Sequence, residues 1–125
     1  METILVVEDD KLLGKSIVAV LEDEGFAVRW AKNSDEVFAS LADTQIDLIY
    51  LDIMLPGGLD GYEILRKIKM PGSMWRNIPV IMLSNLGQMD EIDKAIELGA
   101  LDYIIKANVD LDKFIKITNK TLSKY

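Results

Sequence analysis

The chain has 125 residues, half of them hydrophobic and 28% charged, which is enough apolar material for one packed core and no more than one domain, expected to run over 1–125. Cysteine and histidine are both absent, so disulfides, thiolate chemistry, His-based metal sites, Ser-His and Cys-His nucleophile pairs and a phosphohistidine carrier are excluded. The formal net charge of −7 argues against direct nucleic-acid binding by the body of the domain.

The first apolar run, Ile4 to Val7, is short and rich in β-branched residues, and reads as a strand buried on both faces. It ends on Glu8, Asp9 and Asp10, of which Asp10 is expected only to cap the next helix. Leu13, Ile17, Val20 and Leu21 have helical spacing, closed by Gly25. Phe26 to Ala31 reads as a second strand, and Ser34 is expected to cap a helix with Val37, Phe38 and Leu41 on its apolar face.

Asp47 to Asp52 reads as a third buried strand that again ends on an acid. Pro56-Gly57-Gly58 interrupts the chain, and Asp60 with Glu63 has the spacing of a capping box opening a third helix through Ile64, Leu65 and Ile68, which Pro71-Gly72 stops. Ile78 to Leu83 is a fourth strand running into Ser84. Ile92, Ala95 and Ile96 mark a fourth helix ended by Gly99. Leu101 to Ile105 is a fifth strand ending at Lys106, and Leu111, Phe114, Ile115, Thr118 and Leu122 mark the last helix.

Strands alternating with helices predict an α/β fold with one doubly wound, five-stranded parallel sheet. The expected strand order is the flavodoxin-like 2-1-3-4-5. In such sheets, sites lie at the carboxyl ends of the strands. Those ends carry Glu8 and Asp9, Asp52, Ser84 and Lys106. Converging carboxylates repel one another, and a hard cation such as Mg²⁺ relieves that repulsion. One carboxylate can then attack phosphorus, while the cation, Lys106 and Ser84 steady the phosphoryl oxygens. Taken singly, each residue has an ordinary reading as a helix cap, a turn or a surface charge. Their joint placement at one sheet edge is what points to a site.

The segments Ile4–Asp10, Leu51–Pro56, Val80–Ser84 and Gly99–Lys106 resemble the receiver domain of two-component response regulators, including its chemotaxis-regulator-like members. The resemblance covers essentially the whole chain. It implies a phosphoacceptor at Asp52 and a cytoplasmic signalling switch that is not an enzyme beyond its own phosphorylation and slow dephosphorylation. It implies Mg²⁺ held by Asp9, Asp52 and the backbone carbonyl of Met54, with Glu8 acting through water, and a phosphoryl group steadied by Ser84 and Lys106. Tyr103 resembles the family's aromatic switch residue. The partners implied are a sensor histidine kinase or phosphotransfer protein, and a downstream protein docking on the face of helix four, strand five and helix five. No membrane insertion is expected, since no apolar run approaches bilayer length.

The chain departs from the family's pattern in three places. Lys106 is followed by Ala107 where the family has proline, which predicts a trans peptide or a reshaped loop. The loop Pro56 to Gly61 is one residue longer than usual, and Asn85 stands where a small residue is usual. In the family that the chain resembles, the positions two past the phosphoacceptor and two past the serine tune loss of the phosphoryl group; here they are Met54 and Leu86, apolar and unable to orient water, which predicts slow self-hydrolysis. Lys113, Lys116, Lys120 and Lys124 form a stripe at helical spacing, read as a solvated face in preference to a docking site.

Other functions remain open at this point. The same receiver cut from a longer transcriptional regulator carries identical motifs, and a degenerate binding module would fit the missing proline and the longer loop. A flavin carrier wants a Ser/Thr-rich phosphate loop where this chain has Glu8-Asp9-Asp10. An Asp-nucleophile phosphatase wants a second Asp where Met54 sits.

Overall fold

The runs that read as buried strands form the centre of one parallel sheet. In the computed structural model, which describes residues 1–85, 89–108 and 110–123, the strands are β1 (Thr3–Val7), β2 (Ala27–Ala31), β3 (Leu48–Asp52), β4 (Val80–Ser84) and β5 (Asp102–Ile105). They pair in the order β2-β1-β3-β4-β5, all parallel, as expected. Both β3 and β4 are buried along their whole length, which is why they lack a polar alternation.

Helices α1 (Lys11–Asp23) and α5 (Leu111–Leu122) cover one face; α2 (Ser34–Asp43), α3 (Gly61–Lys69) and α4 (Met89–Leu98) cover the other. Alternate strand residues divide accordingly. Ile4, Val6, Leu48 and Tyr50 pack with Ile17, Leu21 and Phe114, whereas Leu5, Val7, Ile49 and Leu51 pack with Val37, Leu65 and Ile92. Parallel strands joined by helices must all run the same way. Their carboxyl ends therefore share one edge, which carries the acids and Lys106.

Local capping follows side-chain chemistry with one correction. Asp10 caps α1, accepting from the N–H groups of Leu12 and Leu13, and Asp60 with Glu63 forms a reciprocal capping box on α3. The cap of α2 is Asn33 rather than Ser34. The Asn33 side chain accepts from Glu36 N–H at 2.9 Å. Ser34 is the first helical residue and is buried, and its Oγ accepts from Leu59 N–H at 3.1 Å. A tertiary partner has claimed the hydroxyl, so the neighbouring amide takes the capping role. This bond ties the long Pro56–Gly61 loop to the start of α2, with Gly57 and Gly58 both at positive φ (59° and 46°) to make the turn. Asp47 precedes β3 instead of opening it. Its carboxylate accepts from Thr3 N–H at 2.8 Å. Pro79 has no N–H to give the ladder, and β4 begins after it.

One polar contact crosses the core. The Tyr50 hydroxyl lies 2.6 Å from Thr118 Oγ1, and both residues are fully buried. Burial pushes the phenol above its ordinary range, so it stays neutral. Tyr50 also packs edge-on against Phe114, with ring centroids 5.1 Å apart. Tyr50→Phe keeps that packing and removes the hydroxyl alone. It is expected to cost about 1 kcal/mol, read as a lower urea midpoint with unchanged slope. An unchanged midpoint would mean that the Tyr50–Thr118 bond adds nothing net.

Candidate functional site

The acids after β1 and the acid at the end of β3 converge because β1 and β3 are hydrogen-bonded neighbours. Carboxylate oxygens of Glu8, Asp9 and Asp52 all lie within 4.8 Å of one another. Glu8 and Asp52 are buried, whereas Asp9 is exposed. Lys106 starts beyond β5, two strands from β3, and its long side chain crosses over the end of β4. Its Nζ lies 2.6 Å from Asp52 Oδ2 and 2.7 Å from Glu8 Oε1. Asp52 Oδ1 accepts from Met54 N–H at 3.1 Å, and Glu8 Oε2 accepts from Asp10 N–H at 3.1 Å.

The electrostatics of this group are unbalanced. Burial raises Glu8 above the usual carboxylate range and Asp52 adds repulsion; the Lys106 ammonium and the Asp10 N–H pull the other way without cancelling it. Burial likewise opposes charge on Lys106, but the pairing with Asp52 and Glu8 outweighs it and holds the ammonium above its ordinary value. Glu8 Oε1 has an ion pair but no aligned hydrogen bond, despite full burial. Three hard oxygen donors, one of them without a hydrogen bond, fit a small hard cation such as Mg²⁺.

A cavity of about 540 Å³ opens above the group, bordered by Asp9, Leu13, Met54, Asn85 and Ala107. It admits a group the size of a phosphoryl moiety to Asp52. The Met54 side chain is 58% exposed at its rim. Met54 and Asn85 thus flank the entrance, while Leu86 lies outside the described residues.

Glu8, Asp9, Asp52 and Lys106 come together; two other predicted residues stand apart. Ser84 is buried at the end of β4, and its hydroxyl donates to the Asn85 carbonyl at 3.4 Å rather than to the acids. Tyr103 lies on the edge strand β5, 37% exposed and outside the cavity. Among the described residues there is no cis peptide. The Lys106–Ala107 bond is trans, as expected without proline, and Lys106–Asn108 forms a 3₁₀ turn. Lys113, Lys116 and Lys120 are exposed along α5, as a solvated face requires; Lys124 lies outside the described residues. The Trp30 indole N–H donates to the Glu8 carbonyl at 2.9 Å and its ring lies against Gly14, a neighbourhood that sequence reasoning does not reach. The only signal was an isolated glycine within a helical pattern, which points to a close packing contact.

Comparison with known proteins decides the family. Residues 4–119 match the family model of the response regulator receiver domain. The chain belongs to that family. The receiver domain is 37% identical over 120 residues to the nitrogen assimilation regulatory protein NtrX of Azorhizobium caulinodans, covering 95% of this chain and 26% of that protein. It is 41% identical over 103 residues to the phosphate regulon transcriptional regulatory protein PhoB of Escherichia coli, covering 82% of this chain and 44% of that protein. The chain thus spans less than half the length of these relatives. In structure it resembles the receiver domain of NtrX from Brucella abortus, with a TM-score of 0.89 at 33% identity over 98% of this chain and 99% of that one. A putative response regulator from Chloroflexus aurantiacus matches at a TM-score of 0.88 and 25% identity, over 98% of each chain. No described helix of the receiver domain is long and apolar enough to cross a membrane.

Proposed function

We propose that this receiver domain, running over residues 1–125, is a phosphoacceptor switch whose nucleophile is Asp52. One observation carries the reading: Asp52 is buried at the sheet edge with its carboxylate 2.6 Å from the Lys106 ammonium and within 4.8 Å of Glu8 and Asp9 oxygens. An Asp52 oxygen attacks the phosphorus of a phosphohistidine on a sensor kinase or phosphotransfer protein. A P–O bond forms, the P–N bond breaks, and the electron pair leaves with the imidazole. Asp9, Asp52 and the Met54 carbonyl would hold Mg²⁺, with Glu8 acting through water, and its positive charge would neutralise phosphoryl oxygens. Lys106 then exchanges its Asp52 contact for a phosphoryl oxygen, and Ser84 turns its hydroxyl from the Asn85 carbonyl to another.

The new charge biases the opposite end of β5. Tyr103, exposed in this state, turns inward as Ser84 moves and so remodels the α4–β5–α5 face for a downstream partner. The domain itself makes no nucleic-acid contact and catalyses only its own phosphorylation and slow dephosphorylation. A second reading makes the same switch one part of a longer transcriptional regulator. It is favoured by the regulatory relatives, of which the chain covers 26% and 44%.

The test is intact mass after incubation with acetyl phosphate and Mg²⁺, beside Asp52→Ala and an EDTA control. The parent is expected to gain one phosphoryl group and both controls none. No gain by the parent under any condition would leave a degenerate binding module in place of the switch.

A further inference from the structure

The strand β2 grips Glu8 by its backbone from both sides. Glu8 N–H donates to the Ala31 carbonyl at 3.0 Å, and the Trp30 indole Nε1–H donates to the Glu8 carbonyl at 2.9 Å. Glu8 lies one residue past the end of β1, where the regular ladder has stopped. At this point the chain must send one carboxylate inward and the next outward. Glu8 is fully buried and Asp9 is exposed, yet both keep an oxygen within 4.8 Å of the other and of Asp52. The orientation of the Glu8–Asp9 peptide controls that convergence, and the indole holds its oxygen.

The indole has room there only because residue 14 of α1 is glycine. A Cβ on Gly14 would stand 2.2 Å from Trp30 Cζ2 and 2.6 Å from Cε2. The ring is thus wedged between α1 and the acid loop, with the Lys32 ammonium 4.7 Å from its centroid.

We infer that Trp30, seated against Gly14, is a positioning residue of the acidic centre that orients the Glu8–Asp9 peptide for cation binding. Trp30 reaches the acidic centre through the Glu8 carbonyl, which accepts its indole N–H. The inference rests on the reading of Glu8, Asp9 and Asp52 as a Mg²⁺ centre. Outer partners that orient metal ligands matter because a small hard cation tolerates little deviation from octahedral geometry.

The experiment is a MgCl₂ titration of ¹⁵N-labelled protein, following the Asp9 and Asp10 amides well below the thermal midpoint. Parent, Trp30→Phe and Gly14→Ala are compared. Trp30→Phe keeps an aromatic ring and loses the N–H donor; Gly14→Ala keeps the indole and takes its space. Both are expected to bind Mg²⁺ about tenfold more weakly than the parent while remaining folded. In a Trp75→Phe background, Trp30 fluorescence is expected to change with MgCl₂ at the parent's dissociation constant. If Gly14→Ala does not fold, Trp30→Phe decides alone. A lowered thermal midpoint with parental Mg²⁺ affinity in Trp30→Phe would make Trp30 a packing residue only and overturn the inference. A parent with no saturable Mg²⁺ binding would remove the metal-centre reading, and this inference with it.

Discussion

Lys106→Met is expected to slow phosphoryl uptake from acetyl phosphate at least a hundredfold, to destabilise the fold by about 3 kcal/mol near neutral pH, and to tighten Mg²⁺ binding. The ammonium is the only positive side chain within salt-bridge distance of Glu8 or Asp52 among the described residues. Removing it strands two buried carboxylates beside each other and beside Asp9. Methionine fills the space without the charge, so the change is electrostatic and not a cavity. Mg²⁺ then has no competing cation to displace and is expected to restore much of the lost stability by binding only the folded state.

The pH dependence has a definite sign. Burial, partly offset by Lys106, holds the Glu8 carboxyl above its ordinary value of 4.5 in the folded protein. The folded state therefore binds this proton more tightly than the unfolded state, and Glu8 takes away stability as pH rises from 4.5 through the raised value. Without Lys106 that upward shift grows. The deficit of Lys106→Met is expected to be small near pH 4.5 and to widen toward neutrality. In the parent, the raised Lys106 value adds stability that is complete below 10.5 and is lost as pH climbs past it. Thermal midpoints across pH, with and without MgCl₂, check all of this. Parental midpoints in the metal-free variant at neutral pH would show that the ion pairs add nothing to stability.

Gly61→Ala is expected to cost about 3 kcal/mol and to impair Asp52 at the same time. Gly61 opens α3 and donates its N–H to the Ile53 carbonyl at 2.9 Å. A Cβ there would fall 1.9 Å from the Asp52 carbonyl oxygen and 2.8 Å from Ile53 Cα. Both are backbone atoms at the carboxyl end of β3, beside the Asp52 carboxylate, so no rotamer change relieves the clash. Either α3 withdraws from β3 or the end of β3 shifts. The second response moves the Asp52 carboxylate out of register with Lys106. Urea unfolding is expected to show the lower midpoint, and the acetyl phosphate assay a slower rate for the fraction that remains folded. A variant with parental stability and rate would mean that the α3 start is free to yield.

The elements and their order were legible because each obeys a local rule. Fully apolar runs such as Val80 to Leu83 belong in a parallel sheet, and Asp10, Asp60 and Glu63 cap helices by chemistry that acts within one turn. The acids and Lys106 were legible as a group because parallel strands put all their carboxyl ends on one edge. Errors arose where a distant residue competed for a local group. Ser34 has the side chain of a cap, but its hydroxyl serves Leu59, twenty-five residues away.

By itself, then, the sequence determined the family, the strand order and the convergence of Glu8, Asp9, Asp52 and Lys106 at the sheet edge, since periodicity, capping and connection rules act over short stretches. Only the tertiary structure decided that Lys106 bridges Glu8 and Asp52, that the Ser84 hydroxyl is turned to the Asn85 carbonyl, and that Trp30 lies over Gly14 to hold the Glu8 carbonyl. Those outcomes depend on the reach of long side chains across neighbouring strands and on which helix leaves space for a ring. Such distances exist only once the layers are packed.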